Sequence, residues 1–236
     1  MREIIKNFFK KNGIEICRYP RKDLKRRLKL LETFNIDVAF DIGAHTGQYA
    51  MELFDLGFKG RIISFEPLSI AYKALSEASA NNEKWTIKNI AVGNKDGEIE
   101  INVSQNLFSS SILAMLPEHL NNAPDSKYID KEKVKITKID SIFSDYVNPG
   151  EKVFVKLDTQ GYEKIILDGA INSLDKIAGI QLEMSLVSLY DHSILFQEMI
   201  AYLQSKNFKL YSLENGFASM KTGQQFQVDG IFFKEN

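Results

Sequence analysis

The residues best placed by type and spacing to do chemistry begin with Asp41-Ile42-Gly43-Ala44-His45-Thr46-Gly47-Gln48. Gly43 and Gly47 carry no Cβ, so a ligand can come close to the backbone there. A dinucleotide loop has the spacing G-x-G-x-x-G and offers bare helix-terminal N–H groups to a pyrophosphate. Here the spacing is G-x-x-x-G, and a carboxylate, Asp41, precedes it. That carboxylate repels phosphate but accepts hydrogen bonds from an ammonium group. Glu66-Pro67 follows 25 residues after Asp41 and closes an apolar run, the place where an acid takes both hydroxyls of a ribose. The two acids and two glycines describe a ligand that joins an amino acid to a nucleoside and carries no phosphate. S-adenosylmethionine meets that description better than NAD does. Ala44, His45, Thr46, Gln48 and Pro67 are counted as cofactor-binding with them, and Asn89, Ala91 and Val92 are expected beside the adenine.

A second group bears on the acceptor. Asp158 ends the apolar run Val153–Leu157 and is expected to contact the cofactor or take the acceptor's proton. Glu183 ends the next run and, between apolar neighbours, needs a partner; it is the second catalytic candidate. His119 lies in a polar stretch that would fold over the acceptor as a lid, and is the third. Gln160 and Glu163 follow Asp158, with Glu163 read as an acid favoured by a helix N-terminus. His119, Asp125 and Asp130 share one stretch but show no metal-ligand spacing, so no metal is assigned.

These residues need a scaffold that brings strand ends to one edge. From Val38 onward short apolar runs alternate with amphipathic stretches, the pattern of a parallel sheet covered by helices. Strands are predicted at 38–40, 61–65, 85–90, 153–158 and 179–184, with helices from about Thr46, through Ile70 and Leu75, over 163–174 and through Met199. Phe208–Leu213 and Val228–Phe233 are predicted as an antiparallel closing pair. Residues 93–103 read as a turn and a period-two strand, a small added hairpin. The fold class is therefore α/β, a Rossmann-like doubly wound, mostly parallel seven-stranded sheet. Residues 1–35 form a basic amphipathic helical arm, 36–236 the main domain, and 104–133 an irregular insertion.

The chain's net charge of −1 is unevenly spread: residues 1–31 hold eleven Lys/Arg and three Asp/Glu, the remainder nineteen and twenty-eight. The arm suits weak contact with an anionic surface or simple solvation. Cys17 is the sole cysteine, so no disulfide closes within one chain. Charges interrupt the apolar residues at the N-terminus, and no run of about 18 apolar residues occurs. A cytoplasmic protein without a transmembrane segment is expected, its oligomeric state open.

The chain resembles the FkbM-type methyltransferases from about Arg18 to Phe233. The matching pieces are 41–48, Ser64-Phe65-Glu66-Pro67, Asn89-Ile90-Ala91-Val92-Gly93, Lys156-Leu157-Asp158-Thr159-Gln160-Gly161-Tyr162-Glu163 and Val228-Asp229-Gly230-Ile231-Phe232. The resemblance implies a class I methyltransferase fold and methyl transfer to oxygen, often on sugars of surface polysaccharides or glycolipids, or on natural products. A small-molecule or glycan acceptor is thus expected. An RNA-directed enzyme using the basic arm is the leading alternative; a non-catalytic scaffold and an NAD-dependent dehydrogenase rank lower. Nucleic acid is disfavoured because no Pro-Pro turn follows Asp158 and Cys17 precedes the sheet.

Overall fold

The computed structural model describes residues 2–14 and 19–235, so Cys17 lies outside the described residues. At its centre β1 (Val38–Ile42) is paired in parallel with β2 (Arg61–Phe65) on one side and β7 (Val153–Leu157) on the other. β3 (Trp85–Lys88) extends the sheet beyond β2, and β8 (Ile177–Ser185) beyond β7, all parallel. β10 (Gln227–Lys234) then runs antiparallel between β8 and β9 (Phe208–Asn215). The order is β3-β2-β1-β7-β8-β10-β9, the expected doubly wound sheet with its antiparallel closing pair.

β1 is buried on both faces, as a central parallel strand must be. Val38, Phe40 and Ile42 pack with α6 (Ile139–Tyr146), α7 (Glu163–Asp168) and α8 (Phe196–Ser205) on one face. Ala39 packs on the other with Leu31 of α2 (Lys22–Thr33) and Leu53 of α3 (Gln48–Asp55). Asp41 shares that second face, because side chains alternate along a strand. Register sets Ser64, Asp41, Lys156 and Gln181 side by side across four strands, one row back from the carboxyl edge.

Several predicted elements change. β3 ends at Lys88. The helix after β2, α4 (Ser69–Ser79), buries Ala71 and Leu75 and leaves Ile70 63% exposed. The helix after β7 stops at Asp168, and a 3₁₀ turn covers Leu174–Lys176. The added hairpin is a three-stranded sheet: β6 (Tyr128–Lys138) lies between β4 (Ala91–Gly93) and β5 (Gly97–Ser104), parallel to the first and antiparallel to the second. β6 starts inside the supposedly irregular insertion, which also holds α5 (Pro117–Asn122) and a 3₁₀ turn at Pro124–Ser126. The polar outward face of β6 hid its period. α1 (Arg2–Lys11) precedes α2. Among the described residues no helix is long and apolar enough to cross a membrane.

Candidate functional site

The loops after β1, β2 and β7 meet at the carboxyl edge of the sheet. Gly43 has φ +75°, and a Cβ there would stand 1.9 Å from the carbonyl oxygen of Asp158. The glycine is thus required by contact between two protein loops. Gly47, at φ +91°, caps α3 and would push a Cβ to 2.6 Å from Trp85. Both glycines were expected to admit a ligand; the atoms they clear are the protein's own.

Glu66 is the clasp of this edge. Its carboxylate accepts the backbone N–H of His45 at 2.8 Å and that of Leu68 at 2.8 Å. Asn89 donates its side-chain amide to the carbonyls of Glu66 and Pro67, both at 2.9 Å. Burial raises the Glu66 carboxyl to about 7, against the lowering effect of its two backbone donors.

Beside Glu66 opens a cavity of about 710 Å³, counting the space at its mouth. Gly43, His45, Glu66, Pro67, Ala91, Val92 and Asp158, all anticipated, line it. Ile90 also lines it, as do Leu107, Phe108 and Ser110 of the insertion. Phe108 stacks on the His45 ring at 3.9 Å between centroids, so the insertion touches the loop after β1. Asp41, Ala44, Thr46, Gly47, Gln48 and Asn89 do not line the cavity. Ala44 is buried in the core and Gln48 is exposed.

Asp41 needs a correction. It is fully buried; one carboxylate oxygen faces Lys156 Nζ at 3.1 Å, and the other accepts the Ser64 hydroxyl at 3.1 Å. Trp85 in turn donates its indole N–H to Ser64. Lys156 also donates to the Gly43 carbonyl at 3.0 Å and stands 3.6 Å from Asp158 Oδ2. The negative charge expected to receive an ammonium group is committed to an internal lysine, whose own pKa is held up by Asp41 and Asp158 against its burial.

The catalytic candidates separate. Asp158 is about half exposed and lines the cavity. Gln160, at φ +57°, donates its amide to Asp158 Oδ1 at 3.1 Å and to Glu183 Oε2 at 3.2 Å, while its own carbonyl oxygen accepts the Tyr190 hydroxyl at 2.8 Å. Glu183 lies behind that amide, bonded also by Gln227 and in register with Asp229. Burial first, and then Asp158, Glu163 and Asp229, push the Glu183 carboxyl well above the usual carboxylate range. Asp229 is raised to about 6 by burial and by Asp158. Glu183 is therefore set behind the cavity, not in its wall.

Glu163 accepts the N–H of Thr159 at 2.9 Å and that of Gly161 at 3.3 Å, which ties down the turn bearing Asp158. His119 is corrected outright. It is buried at 4% exposure, bonded to Ser126 at 3.1 Å and stacked on Phe217. Burial lowers it to about 4, and it does not reach the cavity. Ser126 joins Ser109 and Asn106 in a hydrogen-bond network within the insertion, so His119 is tied into the insertion. Among the described residues no group of His, Cys, Asp and Glu is arranged to hold a metal ion.

A family model, the methyltransferase FkbM domain, matches residues 41–210, from the last residues of β1 into β9. The chain belongs to that family. It is an S-adenosylmethionine-dependent methyltransferase on a Rossmann-like sheet. No curated protein sequence matches it. Among solved structures, an uncharacterised protein from Listeria monocytogenes serotype 4b superposes with a TM-score of 0.50 at 10% identity, covering 92% of this chain and 68% of that one. An rRNA methylase from Streptococcus thermophilus gives 0.49 at 10% identity over 93% and 100%. The Methanococcus jannaschii fibrillarin pre-rRNA processing protein gives 0.47 at 11% identity over 85% and 67%. At these identities the likeness is one of fold, and the acceptors of those proteins do not carry over to this methyltransferase.

Proposed function

We propose that this methyltransferase transfers the methyl group to a hydroxyl oxygen of a sugar-like acceptor, with the cofactor in the cavity between Glu66 and Asp158. The observation that carries the reading is that Asp158 and Glu66 line one cavity whose wall holds no lysine or arginine. Such a wall attracts a sulfonium cation and repels a pyrophosphate. The other lining residues fit the same ligand. Each Glu66 oxygen holds one backbone N–H and keeps a lone pair for a ribose hydroxyl. Ile90, Ala91 and Val92 supply an apolar wall for a purine.

When bound, S-adenosylmethionine supplies a methyl group on a sulfonium, open to in-line attack. An acceptor oxygen attacking that methyl would form the C–O bond as the C–S bond breaks, the C–S pair being left on sulfur. Asp158 takes the hydroxyl proton at a carboxylate oxygen. Gln160 fixes that carboxylate through Oδ1, and Tyr190 fixes Gln160. Asp158, Gln160 and Ser110 in the wall are side chains of the kind that bond polyols. The insertion, through Phe108 over His45, covers the site and excludes water. The test is transfer of labelled methyl from S-adenosylmethionine to carbohydrate, lipid and RNA fractions. Label recovered on sugar oxygen supports the reading, and label confined to RNA overturns it.

A further inference from the structure

The two helices that precede the sheet differ in how the rest of the protein receives them. α2 is anchored by buried Leu24, Arg27 and Leu31, and Arg27 is bonded to Glu52 and Glu214. Its outward side presents Lys22, Lys25, Arg26 and Lys29, all exposed. Among the described residues α1 has no such anchor. Ile5 is 47% and Phe8 64% exposed, with Phe8 edge-on to a half-buried Phe9. Among the described residues none of these three belongs to a core cluster.

At the helical period Ile5, Phe8 and Phe9 fall within an arc of roughly 100°. Lys6 and Lys10 stand beyond one edge of that arc and Lys11 beyond the other. Long basic side chains flanking an apolar stripe can reach a charged plane while the stripe sinks beneath it. We infer that α1 is an interfacial anchor which seats in the headgroup region of an anionic bilayer, with the basic side of α2 reinforcing it.

Charge selects that occupant. Residues 1–31 carry eleven basic and three acidic side chains, whereas the rest of the chain carries nineteen and twenty-eight. An anionic surface attracts the arm and repels the remaining domain, which orients the molecule. A nucleic acid would use the lysines but gives no role to exposed Ile5 and Phe8, because phosphate contacts need cations rather than an aliphatic stripe. A second copy of α1 would bring like charges together. The inference does not depend on which acceptor the cavity takes.

The test is flotation of the full-length protein with two vesicle types: phosphatidylcholine alone, and equal parts phosphatidylcholine and phosphatidylserine. Binding is expected to be at least about tenfold tighter to the anionic vesicles and to weaken as salt is raised. The double variant Ile5→Ser/Phe8→Ser keeps the charge and is expected to lose the binding, while its affinity for S-adenosylhomocysteine stays unchanged. Lys6→Gln/Lys10→Gln/Lys11→Gln is expected to remove the preference for anionic vesicles. Equal binding to both vesicle types, no binding to either, or undiminished binding by the serine variant overturns the inference. So does tight RNA binding that the serine variant retains, or a lipid-free dimer that it dissolves.

Discussion

The two halves of the carboxyl edge handle acidic groups in opposite ways. On the β1–β2 side a single carboxylate, Glu66, is held by backbone N–H groups and faces a cavity. On the β7–β8–β10 side Asp158, Glu183 and Asp229 stand near one another, with Gln160, Gln227 and Lys156 between or beside them. In the first arrangement one carboxylate is held by two backbone donors and left facing the cavity. The second is a set of mutually repelling acids, of which only Asp158 reaches the cavity, and whose geometry is maintained by amides and one lysine. On the proposed function, binding and proton handling fall to different strands of one sheet.

The sharpest break in this comparison comes where the halves touch. Gly43→Val would drive a β-branched side chain into the Asp158 carbonyl at a positive φ. A loss of roughly 4 kcal/mol or more is expected, seen as a collapse of Tm together with cofactor binding. A folded Gly43→Val protein of normal Tm would show that the loops can part.

Lys156 is next. Lys156→Met leaves Asp41 buried without its cation, and a loss of about 3–5 kcal/mol is expected in denaturant unfolding. Adding Asp41→Asn should recover much of it, because the uncompensated charge is gone. A single variant as destabilised as the double one would mean that packing, not charge, is what Lys156 supplies.

On the acid-cluster side Asp158→Ala should lower kcat by more than about tenfold and change Tm little, since its carboxylate is half exposed. Gln160→Leu should lower kcat less, because Asp158 stays in place but loses the amide that orients its carboxylate. Normal kinetics in both would remove this half of the edge from the chemistry.

The halves also differ in how far they could be read before the structure. The central strands and the antiparallel closing pair followed from apolar runs and turn residues, which are local signals; their order in the sheet came from the structure. Glu66 was legible for the same reason: it closes a strand and is positioned by neighbours within two residues and by the adjacent loop. The Asp41–Lys156 pair was not, because it depends on β1 and β7 aligning those residues from 115 positions apart in sequence. Glu183 opposite Asp229 likewise follows only from the antiparallel register of β8 and β10. A signal for Lys156 existed, since a lysine inside an otherwise apolar central strand has to find an acid on the next strand. His119 misled because it lies in a mostly polar stretch of sequence, whereas Tyr190 and Phe217, which pack against it, arrive from distant segments. Phe108 could not be placed over His45 without the fold of the insertion.

The claim that the Glu66 clasp receives the nucleoside is tested most directly by S-adenosylhomocysteine affinity as a function of pH, measured calorimetrically in the wild type and in Glu66→Gln. Ribose hydroxyls donate to a carboxylate and so favour its ionised form, which burial has made hard to maintain below about 7. Affinity should be greatest above that pH and fall as pH drops through it, by up to about tenfold per unit. Glu66→Gln should bind roughly tenfold more weakly at high pH and lose the dependence. Equal affinity in the two proteins at every pH would contradict the account.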